Sequence, residues 1–95
     1  LWNPKYQGGA SFISNNSIVV SRGELGHDIV EIFEFNGTAW VSKKVIHREA
    51  KGTTPIRNAR PICDPDGKVI VWQRGYYNFS DYTDFNMDAI IYQIE

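Results

Sequence analysis

The sequence predicts an all-β chain made of two consecutive antiparallel meanders. Three observations carry that expectation. Val, Ile, Phe, Tyr and Trp occur in short runs broken by Gly, Asn, Asp and Pro, the pattern of strands and turns. Apolar residues hardly ever recur at helical spacing. The chain also repeats itself. Ile18-Val19-Val20-Ser21-Arg22-Gly23 aligns with Ile70-Val71-Trp72-Gln73-Arg74-Gly75, and Asp28-Ile29-Val30-Glu31-Ile32 with Asp88-Ala89-Ile90-Ile91-Tyr92.

The elements follow in order. The first strand is read over Gly9–Ser14 and ends at the Asn15-Asn16 turn. The second covers Ser17–Arg22 and stops at Gly23. The third, Asp28–Phe35, places Ile29, Glu31, Phe33 and Phe35 on one face and Val30, Ile32 and Glu34 on the other. Apolar residues on both sides mark a strand covered on both faces. Asn36-Gly37 supplies a tight turn into a fourth strand over Ala39–Ile46. His47–Asn58 reads as a long connection. A fifth strand over Ala59–Cys63 leads through Asp64-Pro65-Asp66-Gly67, a turn-forming run, into a sixth over Lys68–Arg74. Gly75–Met87 reads as a loop rich in tyrosine and aspartate, and Asp88–Glu95 as the last strand.

The recurring unit is thus strand, tight turn, strand ending in Arg-Gly, variable loop and a further strand. A four-stranded unit returning after about 50 residues is the mark of a β-propeller blade. The expected organisation is one β domain: a first blade over residues 9–46, an inter-blade loop over 47–58 and an incomplete second blade over 59–95. Two blades do not close a ring, so the chain reads as a fragment completed by the rest of a propeller or by further chains. In a meander, alternate connections emerge at opposite ends. Gly23–His27, His47–Asn58 and Gly75–Met87 should therefore share one rim, opposite the tight turns. An immunoglobulin-like β-sandwich is the alternative for seven short strands, but it leaves the Arg-Gly repeat unexplained.

Composition bounds the function. The chain has 95 residues, 42% hydrophobic content and a net charge of −1, which describe one ordinary globular domain. Near-zero charge argues against nucleic-acid binding, which calls for a basic stripe. No apolar run reaches the length of a membrane span. The one cysteine, Cys63, excludes an internal disulfide and is expected to be a buried thiol. Trp40 and Trp72, both in strands, are expected in the core.

Two stretches resemble a known family. Asn36-Gly37-Thr38-Ala39-Trp40 falls where BNR-repeat propellers carry their Asp-box turn, and its Gly37-to-Trp40 spacing matches. Phe33 and Phe35 stand where that motif has Ser and Asp. "ARPICDPDGKVIVWQRGYYNFSDYTDFNMDAIIY" resembles the BNR-like blades of secreted bacterial and fungal propellers, many of which act on polysaccharides, often as lyases. The resemblance implies an acidic poly- or oligosaccharide handled by a lyase or glycoside hydrolase, in an extracellular or periplasmic setting. A non-catalytic glycan-binding or scaffold propeller is the alternative.

The candidate residues fit that chemistry. Arg22, Arg74 and Arg60 should face the loop-bearing rim, and a guanidinium is a planar fork suited to carboxylate or sulfate. The plainer role is bracing: each arginine pairs with a neighbouring acid such as Asp28 or Asp88. His47 and His27 are the candidate general bases. Tyr76, Tyr77 and Tyr82 could stack on sugar rings, or fill a small loop core beside Phe79 and Phe85. Asp81, Asp84 and Asp88 offer oxygen ligands, but not at the spacing of an EF-hand calcium loop, so no cofactor is expected, with calcium the alternative.

Overall fold

The structure, a computed structural model, describes residues 9–24, 26–50, 56–78 and 83–94. Its strands are β1 (Ala10–Ser14), β2 (Ser17–Glu24), β3 (His27–Phe35), β4 (Trp40–Ala50), β5 (Ile56–Cys63), β6 (Val69–Asn78) and β7 (Thr83–Gln93). They form two antiparallel sheets in plain sequence order, β1-β2-β3-β4 and β5-β6-β7. The described residues contain no helix, and none therefore long and apolar enough to cross a membrane.

The turns are built by the residues read from the sequence. Asn36 Oδ1 accepts from Thr38 and Ala39 N–H, both at 2.9 Å, an Asx-type turn closing β3 onto β4. Asp64 Oδ1 accepts from Lys68 N–H at 2.7 Å and Val69 N–H at 2.8 Å, and these bonds hold its carboxyl below the usual carboxylate range. Gly67 (φ 69°) lies against β1: a Cβ there would come within 3.1 Å of the Ile13 carbonyl oxygen. The close approach sets the β5–β6 turn beside the β1–β2 turn, so the hairpin bends of both sheets share one end.

Two connections differ from the expectation. β4 runs on to Ala50 and β5 begins at Ile56, so most of the 47–58 segment is strand. β6 continues to Asn78 and β7 starts at Thr83, so the 75–87 loop is largely a hairpin extension. Ladder pairing overrides the polar composition of both stretches. The repeat also slips by one residue. Asp28 pairs with Gly23, whereas Asp88 pairs with Arg74, beside a bulge in the β6–β7 ladder.

The sheets pack face to face over Val19, Val30 and Ile32 from the first and Ile70 and Trp72 from the second, all buried. Each such side chain contributes roughly 1.5–3 kcal/mol on burial. β3 is covered on both faces: Ile29 and Val30, neighbours that point opposite ways, are each 0% exposed. β4 carries two register shifts against β3, and Ile46 at one of them packs against the core. Trp72 is core as expected. Trp40 instead is half-buried beside Phe35 (ring centroids 5.4 Å) and Phe12 (6.5 Å).

The sense of the stacking can be read from the hydrogen bonds. Phe35 N–H donates to Asn16 O at 2.8 Å, and Ile94 N–H to Lys68 O at 2.8 Å. These bonds set the phase of the ladders. In both sheets the residues Ile18, Val20, Arg22 and Ile70, Trp72, Arg74 turn their backbone groups toward the third strand. For L-residues this fixes the side-chain direction, so both sets project from the same face of equivalent sheets. That face is termed the front. Trp72 and Ile70 on the front of the second sheet meet Val19, Val30 and Ile32 on the back of the first. The two sheets stack front to back.

Replacing Ile70, which is fully buried, with Ala is expected to cost about 2–5 kcal/mol in urea unfolding, whereas exposed Ile91→Ala costs under about 0.5 kcal/mol. Equal losses at the two positions would contradict the assigned core.

Candidate functional site

The loop-bearing end of the inter-sheet layer holds a connected set of polar side chains. Strand alternation brings them there. His47 and Glu49 are two apart on β4 and share the face toward the second sheet, as does Asp28 at the start of β3, paired with Glu49. Asn58 on β5 pairs with Arg74 on β6 and shares its face toward the first.

Asn58 is the centre. It is fully buried. Its N–H donates to Asp28 Oδ2 and its carbonyl accepts from Ser21 Oγ. Its Oδ1 accepts from Trp72 Nε1 at 2.9 Å, and its Nδ2 donates to Glu49 Oε1 at 3.3 Å. A buried amide and a buried indole N–H each cost free energy unless bonded, and here each satisfies the other.

Glu49 joins three further groups. Arg74 Nε donates to both its oxygens, at 2.8 and 3.1 Å, and Arg74 Nη2 to Oε2, a forked pair. His47 Nε2 lies 2.9 Å from Oε1, and the His47 ring packs edge-on against Trp72 at 5.7 Å. Hydrogen bonding by Arg74 is the largest cause that lowers the Glu49 carboxyl from 4.5 to about 2, against the opposing effect of burial. Arg74 Nη1 also reaches Asp88 at 3.7 Å, but that carboxylate is far more exposed than Glu49.

Arg22 lies at the same end of the molecule as Arg74 but on the far face of the first sheet. Its Nε donates to Glu31 Oε1 at 2.9 Å, and Ser42 Oγ donates to Glu31 Oε2. Both repeated arginines are therefore engaged by acids. Glu31 and Glu49 are their near partners, and Asp88, one of the acids expected from the sequence, is a more distant second partner of Arg74.

Arg60 is different. It sits in β5 at the register shift between Ala59 and Ile62, with φ 56°, the sole positive φ among described non-glycine residues. It is exposed and makes no ion pair among the described residues. Its Cα lies 3.4 Å from where a Cβ on Gly9 would stand, beside the start of β1.

His27 begins β3 opposite Ala50, on the face away from His47. Tyr76 and Tyr77 stand on β6 opposite Phe85 and Asp84. Tyr82, Asp81 and Phe79 lie outside the described residues. No three His, Cys, Asp or Glu side chains converge as a metal cluster among the described residues. Cys63 is half-buried, with its thiol pushed up by burial and by Asp64. Sequence reading missed Glu49 and Asn58, both assigned to a loop. Two needs pointed to them: a buried tryptophan N–H requires an acceptor, and a strand arginine facing a core requires an acid.

No protein-family model matches the chain, and no curated protein or solved structure does either.

Two outcomes follow from this junction. Asn58→Leu strands the Trp72 N–H and is expected to cost roughly 2–3 kcal/mol, from one or two orphaned groups, read by chemical denaturation. Glu49 has a depressed folded pKa, so its stabilisation is present above its ordinary value of 4.5 and fades as pH falls toward about 2. The stability advantage of the native chain over Glu49→Gln should thus be full at neutral pH and shrink through that window. A pH-independent difference would contradict the Arg74–Glu49 assignment.

Proposed function

We propose that the chain forms two consecutive blades of a β-propeller of BNR-like type, the second without its outer strand, and that its loop-bearing rim binds an acidic poly- or oligosaccharide. Sequential strand order in each sheet, without a Greek-key crossing, and the front-to-back stacking of equivalent sheets support the blade reading over an immunoglobulin-like sandwich.

Arg60 carries the functional reading. A non-glycine residue with φ 56° is held at a cost that clusters at binding sites. Its guanidinium is exposed on the strand nearest β1, while Arg22 and Arg74 serve as braces. A carboxylate or sulfate on a sugar is the natural partner for such a fork. The histidine nearest the junction, His47, is engaged by Glu49, which favours binding over proton abstraction by these residues. The setting this implies is extracellular or periplasmic.

The test is calorimetric titration with polyuronates and sulfated polymers, together with ultraviolet absorbance for unsaturated product. Binding without absorbance growth is expected. Arg60→Ala should weaken it about tenfold, the equivalent of about 1.4 kcal/mol, without loss of fold. Unchanged affinity in Arg60→Ala, or no affinity for any acidic polymer, would overturn the proposal. Growth of absorbance would assign a lyase instead.

A further inference from the structure

Ile62, Val71 and Ile91 lie abreast on the back of the second sheet, paired across β5, β6 and β7. They are 65%, 39% and 71% exposed. The ladder gives their equivalents in the first sheet as Ser11, Val19 and Ile32. There, Val19 and Ile32 are buried beneath the second sheet, in the cluster that includes Cys63, Ile70 and Tyr92.

The covering residues also have equivalents. Cys63, Ile70 and Tyr92 correspond to Phe12, Ile18 and Phe33 on the front of the first sheet. Phe12 is 64% exposed, with Ile18 and Phe33 half-buried beside it. The chain thus displays both halves of its own internal interface, one on each outer face, at the same height above the hairpin bends. A front-to-back contact differs from a self-matching one: using it once leaves both complementary faces free.

We propose that these faces bind each other between two copies of this chain. The Phe12 side of one copy seats on Ile62, Val71 and Ile91 of the next and continues the stack. At the loop end of the front face, Ile29 and Glu31 are already buried, so the contact is confined to the hairpin half. Isolated exposed apolar residues are ordinary, but three in register across three strands form a patch of the kind that marks an interface. The inference rests on the stacking sense and is independent of the carbohydrate reading.

The experiment is sedimentation equilibrium on the 95-residue chain and two variants, Phe12→Lys and Ile91→Lys, with circular dichroism to confirm folding. Both substitutions fall at exposed positions. The native chain should self-associate with rising concentration, and each variant alone should stay monomeric. An equimolar mixture of the two variants should form a dimer, because one retains the front face and the other the back. Three results would overturn the proposal: a native chain that stays monomeric, a Phe12→Lys variant that still self-associates, or a mixture that does not pair.

Discussion

One buried asparagine, through its main chain and its side chain, ties the two sheets together. Asn58 stands on the second sheet and bonds to Ser21, Asp28 and Glu49 on the first, while holding the Trp72 indole beside it. Hydrophobic contact is non-directional and would let the sheets slide. Hydrogen bonds with fixed partners do not. The junction therefore sets the register of one sheet on the other, and the apolar cluster of Val19, Val30, Ile32, Ile70 and Trp72 fills the space so defined. The forked Arg74–Glu49 pair closes the same junction toward the loop-bearing end.

Front-to-back stacking has a structural consequence. A pair of sheets that meet through like faces is finished at two. A pair that meets front to back has an unmatched front and an unmatched back, and the geometry invites continuation. The Arg-Gly repeat acquires meaning in that frame. Arg22 and Arg74 occupy equivalent front positions, and each is paired with a buried or half-buried glutamate. Glu31 lies on the same sheet as its arginine, while Glu49 lies on the sheet before. The repeat preserves the cation and varies the source of the anion.

Much of the fold was legible in the sequence because short-range chemistry specifies it. Asn36 and Asp64 make their turns through their own side chains, and the alternation of Ile29 to Ile32 announces a strand buried on both sides. The extensions of β4, β5, β6 and β7 were not legible. Glu49, Asn58 and Tyr76 belong to stretches without alternation, and their strand conformation comes from the neighbouring ladder. The candidate site divides the same way. Arginines at the strand ends could be picked out from the repeat, but their partners are far along the chain: Arg74 is braced by Glu49 and Asn58 by Asp28. No residue type announces the one-residue slip between Asp28 and Asp88 or the bulge beside it.

Nuclear Overhauser contacts to the Trp72 indole test the stacking sense most directly. Cross-peaks are expected from the indole protons to the methyl groups of Val30 and to the His47 ring, whose centroid lies 5.7 Å away. Cross-peaks from Trp72 to Val20 or Ile29, on the opposite face of the first sheet, would contradict it.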